Sequence, residues 1–170
     1  MSTPAGARSQ PTKIERLSAG DGERLRAIRL RALHDAPDAF ATTLEEAAAE
    51  PLENWERQLQ QVAAYVATAG GCNMGLARGA RHDRLSDTGY LLSMWVAPEV
   101  RRQGIGADLV QAIVRWARTE GLKRLLLDVA EGNLPARALY TQQGFEPNGT
   151  CGTLPPPRQH VREIQLELTL

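Results

Sequence analysis

The segment "MWVAPEVRRQGIGADLVQAIVRWARTEG", residues 94–121, constrains the fold more than any other part of the chain. It begins at the end of an apolar run, Tyr90–Val96, and a run of that length and character predicts a buried, central strand. Apolar residues then recur at intervals of three and four over Ile105–Trp116, which predicts an amphipathic helix. Gly121 stands where a left-handed helix end is expected. The segment therefore predicts a strand, a basic turn and a helix over Gly104–Glu120.

The same periodicities predict the other elements of the chain. Predicted strands cover Thr12–Ser18, Val62–Thr68, Cys72–Ala80, Lys123–Ala130, a segment that starts at Gly144, and Val161–Leu170. Predicted helices, besides the one already described, cover Asp21–Ala36, Leu44–Gln60 and Asn133–Gln142, with Asp21 as an N-cap and Pro51 breaking the second of them. This order predicts a mixed α/β fold with helices on both faces of one sheet, without a regular βαβ alternation.

Length and composition narrow the class of protein. A chain of 170 residues predicts one domain, over residues 12–170, after a flexible Ser/Pro/Gly-rich tail at residues 1–11. Twenty basic and twenty acidic residues balance, which argues against a nucleic-acid partner. The sequence has neither an apolar run that would span a membrane nor a secretory h-region. We therefore expect a cytoplasmic protein without a membrane partner, in which Cys72 and Cys151 are free thiols.

The basic turn before the long helix predicts an anion site. A helix N-terminus presents unpaired N–H groups and a partial positive charge. Gly104 and Gly106 carry no side chain, so that an anion can approach the backbone, and Arg101 and Arg102 add full charges. Phosphate is the anion that such a turn suits best. The alternative is a tight strand-to-helix turn with solvated arginines.

Two familiar phosphate sites do not match the spacing. The turn lacks the Gly-Lys-Ser/Thr of a P-loop. A Rossmann site requires GxGxxG directly after the strand, whereas "PEVRRQ" intervenes here and Leu109 replaces the third glycine. Asp128 does lie about twenty residues further on, where a ribose-binding acid would stand. A dinucleotide-binding oxidoreductase therefore stays open as an alternative.

A second motif lies downstream. The pattern N-x-x-A-x-x-L-Y-x-x-x-G-F runs from Asn133 to Phe145, and R-x-x-G-x-G runs from Arg101 to Gly106. With both motifs at this separation, Tyr90–Glu146 resembles the GNAT superfamily of acetyl-CoA-dependent N-acetyltransferases. The resemblance implies a mixed, mostly antiparallel sheet of six or seven strands flanked by about four helices. It also implies a single N-acetyltransferase domain.

The resemblance assigns a cosubstrate, acetyl-CoA, to the basic turn and the strand before it. The turn would bind the pyrophosphate, and the strand backbone would pair with the pantetheine arm as an added strand does. Asn133 would bind the pantetheine or orient the following helix. The residues implied to bind acetyl-CoA are Met94, Trp95, Val96, Arg101, Arg102, Gln103, Gly104, Ile105, Gly106, Ala107, Asn133 and Tyr140.

The resemblance also implies catalytic roles. Tyr140 would be the general acid, because a phenol with a pKa near ~10 can protonate a departing thiolate whose acid has a pKa of about 8.5. The alternative is an aromatic residue that only packs. The N–H of Val96 would contact the oxyanion. Many members carry a glutamate where this chain has Tyr90, so no general base is assigned. Asp128 and Glu131 are the acidic alternatives for the base that the sequence offers.

The acceptor side is the least determined. Asp38 can attract a cationic amine and Phe40 can line an apolar wall, and Tyr90 is a third candidate contact, although Phe40 in the core is the simpler interpretation. The three histidines lack metal-ligand spacing, so no metal is expected. We therefore expect direct acetyl transfer to a primary amine of a small molecule or peptide, with a homodimer as an open option. A non-catalytic acyl-CoA-binding module is the alternative.

Overall fold

The computed structural model describes residues 11–170, so the predicted tail lies almost entirely outside the described residues. Seven strands form one sheet in the order β1-β2-β3-β4-β5-β7-β6. They are β1 Lys13–Arg16, β2 Ala63–Ala69, β3 Cys72–Arg81, β4 Thr88–Val96, β5 Arg124–Ala130, β6 Glu146–Thr153 and β7 Arg162–Thr169. All neighbouring pairs are antiparallel except β4 and β5. The prediction of a mixed, mostly antiparallel sheet is confirmed.

Five α-helices flank the sheet, one more than the four predicted elements. They are α1 Gly22–Asp35, α2 Leu44–Ala49, α3 Leu52–Gln61, α4 Ile105–Thr119 and α5 Leu134–Gln142. The extra helix arises because Pro51 divides the second predicted helix and becomes the N-cap of α3, as its lack of an N–H favours. Two 3₁₀ turns, at Pro37–Ala39 and Pro98–Val100, complete the described chain.

The prediction that Asp21 is the N-cap of the first helix is confirmed, although its side chain does not form the capping bond. Its carboxylate instead accepts the N–H of Ser18 at 2.9 Å, which closes the turn before the helix. Glu56, from α3, accepts the N–H of Gly22 at 2.8 Å. A carboxylate therefore still stabilises this helix start, but it comes from another element.

Two hydrophobic clusters sandwich the sheet. One packs α4 against it through a stripe that contains Leu109, Ile113 and Trp116, as the periodicity predicts. The other packs α1, α2 and α3 on the opposite face, around Leu25 and Leu33. Burying a large apolar side chain contributes roughly 1.5–3 kcal/mol, so each cluster holds its helices firmly to the sheet.

A fork opens between β4 and β5. The two strands pair only where Thr88–Tyr90 lie beside Arg124–Leu126, while β5 stays paired with β7 over its whole length. In β4 a bulge inserts one extra residue opposite β3, and Ser93 at this bulge has a φ of 56°. Bulges bend a strand, so β4 leaves β5 beyond Tyr90 and the centre of the sheet splits.

Cys72 and Cys151 are exposed and unpaired, as expected. Within residues 11–170, no helix is both long and apolar enough to cross a membrane. In the same range, no group of three or more His, Cys, Asp or Glu residues is placed to hold a metal ion.

Candidate active site

The backbone of β4 forms one wall of the fork. Ala97 donates its N–H to the carbonyl of Met74 on β3, at 2.8 Å. Successive residues of a strand direct their N–H and C=O groups to opposite sides. Those of Met94 and Val96 therefore point away from β3. They face the gap that β5 leaves. Trp95, in contrast, directs its backbone to β3, and its indole donates to Asp35 at 2.9 Å on the opposite face. The structure therefore places Trp95 away from the fork.

The turn before α4 presents free N–H groups. Within the described chain, none of the N–H groups of residues 102–107 donates a hydrogen bond, and the first helical bond runs from Asp108 to the carbonyl of Gly104. Arg102 and Gly104 have positive φ values of 65° and 83°. This geometry turns successive N–H groups toward one side, as in the concave anion sites of other proteins. The predicted turn is therefore built as an anion site would be.

The two glycines of the turn have different roles. A side chain at Gly104 would meet no atom within 4 Å, so this glycine serves the left-handed backbone and leaves open space in front of it. A Cβ at Gly106 would lie 3.0 Å from Leu139 and 3.4 Å from Met94. The missing side chain of Gly106 thus lets α4 lie close to Leu139 and Met94, rather than opening the front of the turn as expected.

The predicted phosphate contact at Arg101 also needs correction. Its Nε donates to the carbonyl of Val96 at 2.9 Å, and its guanidinium pairs with Asp35. The side chain is therefore engaged with the protein and directed away from the turn. Arg102 is exposed, which leaves it as the arginine available at the turn. Gln103 is exposed beside it.

The second motif positions Asn133 and Tyr140. The side-chain oxygen of Asn133 accepts the N–H of Ala136 at 3.3 Å and caps α5. Of the two roles expected for Asn133, the structure shows the orientation of the helix. Tyr140 is buried and packs edge-to-face on Phe145. Burial raises the pKa of the Tyr140 phenol, so that the hydroxyl keeps its proton at neutral pH.

A cavity of about 250 Å³ passes through the fork. Tyr140 lines it and belongs to the hydrophobic cluster on the α4 side. Phe40 also lines it but belongs to the cluster on the α1 side. The cavity therefore connects the two faces of the sheet, with Met94 from β4 between them. A group that enters along the α4 side can meet one that enters from the α1 side.

The chain contains both motifs within a region that matches a known family. The model of the acetyltransferase (GNAT) family matches residues 29–145, which is more than half of the chain. The chain belongs to the GNAT acetyltransferase family.

Relatives in this family share parts of the chain. The aminoglycoside N(6')-acetyltransferase type 1 of Salmonella typhimurium is 27% identical over 95 residues, which cover 52% of this chain and 66% of that enzyme. A mycothiol acetyltransferase of Thermobispora bispora is 28% identical over 152 residues, 85% of this chain and 50% of that enzyme. The chain therefore aligns with only half to about two thirds of these curated relatives' lengths.

Solved structures share the fold over nearly the whole chain. A GNAT acetyltransferase from Streptococcus pneumoniae matches with a TM-score of 0.80 at 19% identity. The match covers 94% of this chain and 100% of that protein's chain. The protein yncA from Salmonella typhimurium, solved with its cofactor acetyl-CoA, has a TM-score of 0.76 at 18% identity, over 94% of each chain. These likenesses establish the GNAT fold. Its single parallel pair also differs from the parallel sheet of a dinucleotide-binding Rossmann fold.

The candidate acceptor residues of this GNAT protein separate in space. Phe40 lines the cavity in the fork. Asp38 is exposed and lines a neighbouring cavity of about 580 Å³, which shares Ala39, Ala130 and Asn133 with the first. Tyr90 lies outside both and stacks on His82 with a centroid distance of 5.1 Å. Desolvation, and then the charge of Asp128, raise the pKa of Tyr90, which makes it a still weaker acid.

Four charged residues line the cavity, and only Asp128 among them is a candidate named from the sequence. Arg29 from α1 and Arg78 from β3 line it, together with Asp128 from β5 and Glu163 from β7. The sequence carries one signal for Arg29, because it lies four residues from Leu25 and from Leu33 on the apolar stripe of its helix. Arg78 and Glu163 leave no comparable signal, because polar and apolar residues occur together on their strands.

Arg158 holds the roof of the cavity in place. It lies in the β6–β7 loop and donates from Nη1 to the carbonyl of Phe40 and from Nη2 to that of Ala41, each at 2.7 Å. A further bond from Nη1 reaches the carbonyl of Pro37. Charge-assisted hydrogen bonds of this kind are the stronger ones in proteins. The loop between α1 and α2 is therefore fixed by a residue from the far end of the chain.

Proposed function

We propose that this protein is an acetyl-CoA-dependent N-acetyltransferase that moves an acetyl group directly to a primary amine bound in the fork. One observation carries the proposal. The open backbone of β4 and the phenol of Tyr140 border the same gap in the sheet, and β4 leads directly into the turn whose N–H groups are free before α4. Family membership supplies the reaction class.

The residues present fit the cosubstrate. The N–H groups of residues 102–107, with the side chain of Arg102, would hold the pyrophosphate. The fork-facing groups of Met94 and Val96 would pair with the amides of the pantetheine arm, although Arg101 already occupies one lone pair of the Val96 carbonyl. When bound, acetyl-CoA supplies an activated thioester. The space in front of Gly104 leaves room for its phosphates.

Tyr140 is proposed as the general acid. Burial raises the pKa of the phenol, which keeps it protonated but makes it a weaker acid. Its availability as a donor rests on the hydroxyl, which has no competing hydrogen-bond partner within residues 11–170. It can therefore donate its proton to the sulfur that leaves. The N–H of Val96, which faces the fork, would hold the oxyanion that forms in the same step.

Glu163 is proposed as the proton acceptor that the sequence left unassigned. It lines the cavity together with Asp128. Desolvation, and then the charge of Asp128, raise the pKa of Glu163. A carboxylate with a raised pKa is a stronger base, which suits the removal of a proton from an ammonium group. Glu131, the other acid considered, is exposed and pairs with Arg162 at 3.6 Å.

The acceptor is proposed as an amine by analogy with relatives. The names of similar proteins mention an aminoglycoside, mycothiol and a ribosomal-protein alanine as what those proteins act on. The three proteins share acetyl transfer, but the compounds in their names differ widely. They therefore support a small-molecule or peptide amine and no narrower class. The cytoplasmic location and the homodimer both stay predictions.

Calorimetry and a turnover assay test the proposal together. Acetyl-CoA should bind with 1:1 stoichiometry, and NAD(H) and NADP(H) should not bind. With a panel of polyamines, aminoglycosides, amino acids and peptides, at least one acceptor should release free CoA thiol and gain an acetyl group detectable by mass spectrometry. Binding without any transfer would favour the non-catalytic module instead, and absence of acetyl-CoA binding would sink the proposal.

A further inference from the structure

An arginine is buried in the cavity without a polar partner. Arg29 is only 5% exposed, and its Nη1 has no hydrogen-bond partner within the described part of the chain. Its guanidinium lies over the ring of Phe40, with 4.4 Å to the ring centroid. A cation–π contact compensates part of the desolvation, but it satisfies none of the five N–H donors of a guanidinium.

A second arginine borders the same space. Arg78 donates to Ser93 at 2.9 Å and to Gln58 at 2.7 Å, which are both neutral partners. Within residues 11–170, no carboxylate lies within ion-pair distance of Arg29 or Arg78. Desolvation, and then the charge of Arg78, lower the pKa of Arg29 to about 9. Both side chains therefore remain cationic at neutral pH, and neither forms an ion pair within the described chain.

The acidic residues of the cavity lie on its other wall. Asp128 and Glu163 come from β5 and β7, whereas Arg29 and Arg78 come from α1 and β3. In the sheet order, the fork separates β3 and β4 from β5 and β7. The cavity is thus dipolar, with two cations on one wall and two carboxylates on the other.

The physical cost of this arrangement points to a ligand. A buried charge without a partner is strongly unfavourable, and a cavity that contains one is suited to a counter-ion. A carboxylate can accept two parallel N–H bonds from one guanidinium. The cavity of about 250 Å³ is smaller than the roughly 300–1,000 Å³ of sites for drug-sized ligands. The part of a ligand that lies in this cavity beside Arg29 is therefore small.

We propose that the acceptor is a small amine of the amino-acid class, whose carboxylate binds Arg29 and Arg78 and whose amino group faces Glu163. The transfer step rests on the proposed function, whereas the binding of the acceptor does not. In that step the amine nitrogen bonds to the acetyl carbon and the carbon–sulfur bond breaks. Before the attack, Glu163 takes one proton from the ammonium group. Tyr140 then protonates the sulfur that leaves, and the resulting phenolate takes the second proton that the nitrogen loses.

Binding of matched probes tests the proposal without any turnover. Two pools are compared by ligand-observed NMR on the full chain, one of the common L-amino acids and one of the corresponding amines that lack the carboxylate. At least one amino acid should bind at least tenfold more tightly than its matched amine. If no amino acid binds better than the amine with the same side chain, the proposal is overturned.

Variants of Arg29 locate the effect. Arg29→Met keeps most of the volume and removes the donors, so the preference for the carboxylate should fall at least tenfold. Arg26→Met on the same helix, which removes a single 3.4 Å bond to the carbonyl of Ala48, is the matched control and should keep the preference. Retained acetyl-CoA affinity shows that each variant is folded. If Arg29→Met does not fold, Arg29→Lys takes its place, with a partial loss expected.

The acetylation assay then separates this inference from the proposed function. With the amino acid that binds best, Arg29→Met should raise KM at least tenfold and change kcat much less, because Arg29 holds a part of the acceptor that does not react. Transfer only to amines without an anionic group would overturn the inference and leave the proposed function intact. If an amino acid binds more tightly than its matched amine, this preference depends on Arg29 and no acetyl group is transferred, the inference is supported and the proposed function is contradicted.

Discussion

The Nε of Arg101 lies 2.9 Å from the carbonyl oxygen of Val96, to which it donates a hydrogen bond across the base of the fork. The same guanidinium pairs with Asp35, which also accepts the indole N–H of Trp95. Desolvation opposes ionisation of Asp35, but these hydrogen bonds prevail and lower its pKa. Arg101 thus ties the turn to α1, whereas Arg102, the adjacent arginine, is exposed.

The first prediction separates those two arginines. Arg102→Met should weaken acetyl-CoA affinity about tenfold, because a hydrogen bond to a charged group contributes about 1.5–3 kcal/mol. Arg101→Met should instead lower the melting temperature, with a smaller effect on affinity. Calorimetry and thermal denaturation measure the two effects. Equal losses of affinity in both variants would contradict the assignment.

The second prediction concerns Tyr140. Tyr140→Phe should lower kcat about 10²- to 10⁴-fold, the usual contribution of general acid catalysis, with little change in acetyl-CoA affinity. The melting temperature should stay close to that of the unmodified protein, because the hydroxyl makes no hydrogen bond within the described residues and the ring contact with Phe145 remains. An unchanged kcat would remove the phenol from the mechanism.

The third prediction uses two glycines at opposite ends of α4. Gly104 and Gly121 have positive φ values of 83° and 73°, and neither would place a Cβ within 4 Å of another atom. Alanine at either position should therefore cost about 1–2 kcal/mol of stability. Only Gly104→Ala should also weaken acetyl-CoA binding, since its methyl group would stand in the anion site. If Gly121→Ala weakened binding equally, backbone strain alone would explain the effect.

The fourth prediction is a pH dependence. Glu163 must be ionised to accept a proton, so kcat/KM should fall as the pH drops through its pKa, which lies above the ordinary value of 4.5. Because the negative charge of Asp128 contributes to that rise, Asp128→Asn should move the acidic limb of the profile to lower pH. Glu163→Gln should abolish that limb and lower the rate. A limb that stays in place in both variants would assign the proton acceptor elsewhere.

The sequence predicts the structure best where a local pattern of residues determines a local element. The apolar run of Tyr90–Val96 and the stripe of the following helix predict β4 and α4 to within a residue or two, because burial determines both patterns. The break at Pro51 follows equally from the chemistry of one residue. The family motifs add the turn and α5, whose first turn Asn133 caps as one of its two expected roles.

Long-range relationships explain what the sequence could not predict. The bulge at Ser93 that opens the fork depends on the register between β3 and β4, which no local pattern encodes. Arg101 binds Asp35, 66 residues away, and this contact decides which arginine is available at the turn. The charged walls of the cavity combine α1, β3, β5 and β7, so their meeting follows from topology rather than from any motif.

The clamp that Arg158 places on the α1–α2 loop has a consequence for the exchange of acceptor specificity. The family match ends at residue 145, so Arg158 and Glu163 lie in a segment outside the matched region. That segment anchors the backbone of Phe40, 118 residues earlier in the chain. A transplant of one loop alone would leave the guanidinium or its carbonyl partners unmatched. The two loops form a single exchangeable unit, and a chimera would have to receive both together.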